Sequence, residues 1–130
     1  MRKKYLIKLD GEVIGHTYFE RHDAPMGVVL GDIKFEGIES GYAFFRDYCI
    51  KHNVPINQDE AEQKFIDTQH IEGIKIISED GTEIKGEGIC VRGFDEEGFE
   101  IDVFGIPYPF YGEEFKHHRE DYDNQFKENA

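Results

Sequence analysis

The densest group of potential metal ligands lies within residues 113–121, which contain Glu113, Glu114, His117, His118 and Asp121. On a helix, side chains four positions apart share one face, where a carboxylate and an imidazole could hold a cation together. Zinc sites need three or four converging ligands, however, and adjacent histidines point about 100° apart on a helix. We therefore expect a solvated helix with acid–base charge pairs, and no bound metal or other cofactor. The weaker metal hypothesis names Glu114, His117, His118 and Asp121.

A second candidate for chemistry is the carboxylate pair Glu100 and Asp102, whose spacing places both on one face of a predicted strand. Hydrolases use such pairs for general acid–base catalysis. The chain has 28 acidic residues, so pairs of this kind also arise by chance. No nucleophile elbow, dinucleotide fingerprint or phosphate-binding loop accompanies the pair. The sequence thus favours a protein that is not an enzyme, with a small metal-dependent hydrolase as the alternative.

The two thiols, Cys49 and Cys90, stand among apolar neighbours. Cys49 lies on the apolar stripe of a predicted helix, and Cys90 lies between Ile89 and Val91. Burial raises the pKa of a thiol and makes it an inert, small hydrophobic side chain. We expect no catalytic cysteine, and two cysteines are too few for a disulfide scaffold in a domain of this size.

The formal net charge of -13 is confined to residues 37–130, because residues 1–36 hold six basic and six acidic side chains. Such a field repels nucleic acid and anionic membranes, whereas it attracts a basic protein and speeds the encounter. Enhanced solubility alone is the other interpretation of the same charge. The acids expected to face a partner are Asp59, Glu60 and Glu62, together with Asp95, Glu96, Glu97, Glu100 and Asp102.

An aromatic segment follows these acids, in which Tyr108, Phe110 and Tyr111 alternate with two prolines. Interfaces favour aromatic anchors with charges at the rim, so the segment is a candidate for an exposed binding patch. Large aromatic rings are usually buried, and the alternative is that these rings cover one end of a sheet.

The first third of the chain has the pattern of β-hairpins. Asp10-Gly11 between two apolar runs predicts a type I′ turn joining strands at 4–9 and 12–19. Residues 21–27 are predicted to form a loop, followed by a third strand at 28–35 with a bulge at Gly31.

The spacing of apolar residues then changes to that of a helix over residues 41–51, which is capped by Ser40 and ended by the segment before Pro55. A short second helix is predicted over 59–65, with Asn57 as its cap. Strands at 71–77, 82–91 and 99–104 follow, the last two joined by a tight turn at 95–98, and a weak helical pattern begins at Gly112. In the last strand Phe99, Ile101 and Val103 should face one way, and Glu100, Asp102 and Phe104 the other.

These elements define an α+β fold, a mostly antiparallel sheet of hairpins packed against one main apolar helix. The 130 residues fit one domain, with a polar tail from about residue 120. No apolar run is long enough for a membrane span or a signal peptide, which favours a cytoplasmic protein.

The run from His22 to Gly31 resembles a Gly-Asp-Pro-Pro-Met-Gly-Val-Ala-x-Gly motif of small bacterial proteins, from which it departs at His22 and Ala24. This resemblance covers at most the first third of the chain and implies no activity. In size, acidity and fold class the chain is also similar to immunity proteins of bacterial toxin systems, including contact-dependent inhibition. That likeness implies neutralisation of a basic toxin such as a nuclease. A regulatory module with a ligand pocket between helix and sheet remains a further alternative, and the oligomeric state is open.

Overall fold

A computed structural model describes residues 3–23, 26–107 and 110–115, which form antiparallel strands in two sheets and two helices. In chain order the elements are β1 (Tyr5–Leu9), β2 (Glu12–Thr17), β3 (Arg21–Asp23), β4 (Val28–Asp32), β5 (Lys34–Phe35), α1 (Gly41–His52), β6 (Ile56–Glu60), β7 (Phe65–Thr68), β8 (Ile74–Ser78), β9 (Gly88–Phe94), β10 (Gly98–Phe104) and α2 (Phe110–Glu114). The order in the four-stranded sheet is β5-β2-β1-β8, and in the six-stranded sheet β3-β4-β10-β9-β7-β6. The α+β class is therefore confirmed.

The first hairpin has the predicted turn. Asp10 and Gly11 both have positive φ, 50° and 88°, and Leu9 pairs with Glu12 across the turn. Positive φ at both central residues defines type I′, whose twist matches that of the strands.

A bent hairpin connects the two sheets. Its outer ends, β2 and β5, pair in the four-stranded sheet, whereas its inner parts, β3 and β4, pair in the six-stranded sheet. The bend falls at Phe19, with φ of 47°, and the Glu20 carboxylate accepts hydrogen bonds from the backbone N–H groups of Tyr18 and Asp32. Part of the predicted loop 21–27 is therefore a strand, because this bend brings residues 21–23 alongside β4.

The bulge predicted at Gly31 is not found, since Gly31 pairs in regular register with Ile101. The predicted single strand is instead interrupted at Ile33, between β4 and β5. A Cβ atom at Gly31 would overlap Thr17 Oγ1. Glycine is therefore required there by the close approach of the bent strand.

Helix α1 begins and ends as predicted. The Ser40 side chain accepts a hydrogen bond from the Ala43 backbone N–H at 3.1 Å, and Asn53 closes the helix in the left-handed conformation. The helix buries one stripe in the core, comprising Tyr42, Phe45 and Cys49. Phe45 is fully buried, and its ring centroid lies 6.1 Å from that of Phe35 and 6.0 Å from that of Phe99.

The prediction of a helix over residues 59–65 is wrong. Residues 56–60 and 65–68 form the hairpin β6–β7, in which Asp59 lies opposite Ile66 and Glu60 opposite Phe65. Asn57 is therefore a strand residue and not a helix cap. The acids and glutamine in this segment favour a helix locally, but pairing of β7 with β9 overrides that preference.

The three strands predicted in the second half belong to two different sheets. β8 pairs with β1 in the four-stranded sheet, whereas β9 and β10 form a hairpin in the six-stranded sheet. The early part of the predicted strand 82–91 contributes only a bridge between Glu83 and Ile77. In β10 the alternation is as expected, and its inward side chains Phe99, Ile101 and Val103 are buried.

Helix α2 covers the start of the predicted terminal helix, and the rest of that prediction lies outside the described residues. No helix in the described ranges has both the length and the apolar character that crossing a membrane requires.

Candidate functional site

Two of the predicted partner-binding acids hold helix α1 in place. Asp95 accepts hydrogen bonds from the Tyr42 backbone N–H at 2.8 Å and from Ser40 Oγ at 2.5 Å. Asp59 accepts from the Tyr42 hydroxyl and from Arg46 Nε, the latter at 2.9 Å. The hydrogen bond from Tyr42 lowers the pKa of the Asp59 carboxyl, and Arg46 lowers it further. Both carboxylates are thus already engaged within the fold.

Three other predicted acids converge at one end of the six-stranded sheet. Glu62 lies in the β6–β7 turn, and Glu96 and Glu97 lie in the β9–β10 turn. The turns are linked by a hydrogen bond from the Asp95 backbone N–H to the Lys64 carbonyl, at 3.2 Å. Between them is a cavity of about 620 Å³, which Phe94 also lines. We call this feature the acidic groove and define it by Glu62, Glu96, Glu97 and Phe94.

A second cavity, of about 500 Å³, lies beside the acidic groove and shares Phe94 and Glu97 with it. Its floor includes the half-buried rings of Phe65 and Phe94, which lie opposite each other on β7 and β9 with centroids 4.5 Å apart. Its charged lining includes Asp32, Lys34, Arg92, Glu97 and Glu100. The two cavities together form a continuous surface with aromatic rings at its centre, and acids and the bases Lys34, Lys64 and Arg92 around them.

Glu100 is the centre of an ion-pair network on the outer face of the six-stranded sheet. It lies opposite Asp32 on β4 and opposite Arg92 on β9. Arg21 Nη2 lies 2.8 Å from Glu100 Oε2 and 2.9 Å from Asp32 Oδ1, and Arg92 Nη2 lies 3.5 Å from Glu100 Oε1. Burial by itself would raise the pKa of Glu100, but the hydrogen bond with Asp102 and the two arginines outweigh it, and the pKa is lowered.

Asp102 has the opposite environment, although it is only two residues away on the same face. Its cross-strand neighbours are the uncharged Leu30 and Cys90. Burial, followed by the hydrogen bond with Glu100 and its charge, raises the pKa of Asp102 to about 7. Asp102 Oδ1 and Glu100 Oε1 are both buried and accept no hydrogen bond from the described residues, although Arg92 Nη2 lies 3.5 Å from Glu100 Oε1. A proton held by Asp102 satisfies the two oxygens, so this pair exchanges one proton near neutral pH.

The thiols fit the expectation of inert side chains. Burial raises the pKa of Cys49 to about 11, and burial together with Asp102 and Asp67 raises that of Cys90 to about 11. Both thiols are therefore protonated at neutral pH, and Cys90 offers no nucleophile to the neighbouring carboxyl pair.

The aromatic segment contributes to the core and not to an exposed patch at the positions that are described. Tyr111 is fully buried, and its hydroxyl donates to the Val28 carbonyl at 3.1 Å. Its ring packs against Phe115, which in turn contacts Tyr5. Tyr111 is thus no surface anchor, because α2 turns it into the corner between the sheets. Phe110 is half-buried against the core, and Tyr108 lies outside the described residues.

Glu114, the one described residue of the weak metal hypothesis, is engaged elsewhere. It accepts hydrogen bonds from Lys3 Nζ at 2.6 Å and from the Tyr5 hydroxyl at 3.3 Å. His117, His118 and Asp121 lie outside the described residues. Within residues 3–23, 26–107 and 110–115, no three histidine, cysteine or carboxylate side chains are placed to hold a metal ion.

The remaining predicted acid, Glu60, is exposed on edge strand β6 and accepts a hydrogen bond from Gln58 Nε2 at 3.2 Å.

Sequence reasoning missed the roles of Phe65, Phe94 and Arg21. Cross-strand register brings the two rings together, and Arg21 belonged to a predicted loop. Phe65 and Asp67 are two residues apart, as are Arg92 and Phe94, and this spacing was the available signal that each pair shares one face of its strand.

No protein-family model, curated protein or solved structure matches this chain. A functional assignment therefore depends on the geometry and charge of the surface described above.

Proposed function

We propose that this chain is a non-enzymatic binding protein for a basic protein, and specifically an immunity protein that neutralises a basic bacterial toxin such as a nuclease. The observation that carries the proposal is the acidic groove, where acids from two separate turns meet beside a half-buried aromatic ring. A toxin of this kind acts on nucleic acid inside cells, so the proposed place of action is the cytoplasm.

The acids of the groove are available to a partner. Glu62, Glu96 and Glu97 are exposed and form no ion pair with other described residues. Asp59 and Asp95, by contrast, are held by helix α1. Lys64 also lines the groove but lies beyond ion-pair distance of these acids, so the carboxylates keep their field for an incoming basic surface, and the aromatic centre supplies apolar contact area.

Inhibition follows from charge mimicry. A nuclease binds its substrate through a basic groove that neutralises phosphates. Carboxylates of the acidic groove would occupy that basic groove and pair with the lysine and arginine side chains that otherwise hold phosphates. The net charge of -13 adds long-range attraction, which speeds association at low salt. The likeness to immunity proteins in size, acidity and fold class agrees with this proposal.

The test is to isolate the partner with the immobilised chain, purify it, and measure association rates over a salt series. The groove variant Glu96→Lys/Glu97→Lys should associate about tenfold more slowly than the native chain at low salt. The control variant Glu12→Lys/Glu79→Lys makes the same charge change at exposed positions distant from the groove. It should change the rate about twofold or less. The native chain should also block the nuclease activity of the partner.

Two acids are left out of these variants because the fold depends on them. Asp95 holds the start of α1, and Glu20 holds the bend of the hairpin that joins the sheets.

Equal slowing by the groove variant and the control variant, or an association rate independent of salt, would mean that the acidity of the chain contributes to solubility and not to partner binding.

A further inference from the structure

The outer face of the six-stranded sheet continues the acidic groove along β4, β10 and β9. Residues directly opposite each other on antiparallel strands share a face, and the inward residues of β10 are buried in the core. The other side chains of these strands therefore point away from the core. We call this surface the outer sheet face and define it by Leu30, Asp32, Cys90, Arg92, Asp102 and Phe104.

This face has an apolar centre within a charged rim. Leu30 and Cys90 flank Asp102 and are half-buried, and Phe104 is 38% exposed at the end of the same strand. Arg92 and Asp32 are exposed at the rim. Partly exposed apolar side chains surrounded by charges are typical of protein interfaces.

The charges on and beside this face do not balance. Its carboxylates include Asp32, Glu100 and Asp102, and Asp67 lies opposite Arg92 on β7. The basic groups are Arg21 and Arg92, which both contact Glu100, and Lys34, whose charge acts on Asp32. Asp102 forms no ion pair within the described part of the chain, and the neighbouring group that shares its proton is Glu100.

We propose that the outer sheet face is the docking surface for the basic partner, and that Asp102 together with Glu100 receives one lysine or arginine side chain of that partner. This inference rests on the proposed function and specifies where the partner binds.

One guanidinium of the protein already binds carboxylates of this face. The guanidinium of Arg21 reaches across β4 from the neighbouring strand and contacts both Asp32 and Glu100 at hydrogen-bond distance. A second cation beside Asp102 would replace the proton that Asp102 shares with Glu100 and donate to the carboxylate in its place, and charge-assisted hydrogen bonds of this kind are the strong ones. Leu30 and Phe104 would contact the aliphatic part of the incoming side chain.

Docking of the cation releases a proton from the carboxyl pair. Near neutral pH Asp102 shares its proton with Glu100, and an arriving ammonium or guanidinium group favours the ionised carboxylate. The proton then passes to the buffer. The other groups that face Asp102 are Arg92 and Cys90 on β9, Asp67 on β7, and the ion pair of Arg21 with Asp32. Binding should therefore weaken as the pH falls below about 7.

The experiment uses a hexa-arginine peptide as the probe and the full chain as the receptor. Backbone amide NMR shifts locate the peptide, and calorimetry at pH 6.5 in two buffers of different ionisation enthalpy counts the protons released. The matched variants are Asp102→Asn and Glu12→Gln, each of which removes one carboxylate. Glu12 is exposed on β2 in the other sheet, outside both cavities, so it serves as the control.

We expect the peptide to shift the amides of Leu30, Cys90 and Asp102 and to release a large fraction of one proton. Asp102→Asn should abolish this release and weaken binding about tenfold at pH 8, because it removes a charge-assisted contact. Glu12→Gln should weaken binding about twofold or less and leave the proton release unchanged.

Shifts confined to the acidic groove, or an unchanged proton release in Asp102→Asn, would overturn this inference and leave the proposed function intact. If the control Glu12→Gln weakens binding as much as Asp102→Asn does, the peptide responds only to total charge. That result would overturn the inference and the proposed function together.

Discussion

Glu100 and Asp102 lie on the same face of β10, and their pKa values move in opposite directions. Glu100 contacts two arginines, whereas Asp102 lies between Leu30 and Cys90. Two carboxyl groups in contact do not ionise independently, and the group with the nearer cations loses its proton first. The cross-strand neighbours therefore decide which of the two holds the proton.

Asp102→Asn should make the stability of the protein less dependent on pH. The folded-state pKa of Asp102 is raised, so its contribution to stability is fully present below the unfolded value of about 4 and is lost as the pH rises through about 7. We expect the variant to exceed the native free energy of unfolding at pH 8 by roughly 1–2 kcal/mol, after allowance for the partial exposure of this carboxyl. Chemical denaturation at pH 4 and pH 8 measures the difference, which should disappear at the lower pH. A variant less stable than native at pH 8 would contradict the assignment.

Asp95→Ala should destabilise helix α1 by about 1–2 kcal/mol, because it removes the acceptor for the Tyr42 N–H and the Ser40 hydroxyl. Glu96→Ala in the same turn is the control and should change stability by less than about 0.5 kcal/mol. Urea unfolding followed by circular dichroism gives both values. Equal small effects would mean that Asp95 is as free as its neighbour to bind a partner.

Gly11→Val should cost about 1 kcal/mol or more, because a β-branched residue disfavours the φ of 88° at this position. A Cβ atom at Gly11 would meet no other atom within 4 Å, so the cost would come from the backbone alone. Gly11→Asn should cost less, since asparagine tolerates positive φ. Thermal melts of the two variants test this order, and a melt of Gly11→Val that matches the native one would contradict the turn.

Phe45→Ala should cost roughly 3–5 kcal/mol, since the ring is fully buried between Phe35 and Phe99. Ile50→Ala on the same helix serves as the control, because Ile50 is 56% exposed and should cost about 0.5 kcal/mol or less. The free energies of unfolding from denaturant titration decide the comparison. Near-native stability of Phe45→Ala would place this stripe of α1 outside the core.

Local chemistry predicted the elements whose cause is local. Asp10-Gly11 specifies its turn through positive φ, and Ser40 specifies the start of α1 through its side-chain cap. The hairpin β6–β7 was not predictable in this way, because its partner β9 lies more than twenty residues further along the chain. Assignment of β8 to a different sheet from β9 likewise depends on pairing with β1.

For the site, the sequence located the acids but not their surroundings. Charge clustering indicated Glu62, Glu96 and Glu97, which the fold brings to one groove. It could not separate them from Asp95, whose hydrogen bonds come from a helix fifty residues earlier. The raised pKa of Asp102 depends on cross-strand register, which a single sequence does not specify.

The bent hairpin that joins the sheets also determines how the molecule comes apart. β2 and β5 cannot separate without pulling on β3 and β4, since one pair of chain segments supplies strands to both sheets. The close contact at Gly31 and Thr17 holds the corner itself. Neither sheet can therefore unfold while the other stays folded. We expect all-or-none unfolding, with the slowest-exchanging amides of both sheets protected to the same degree.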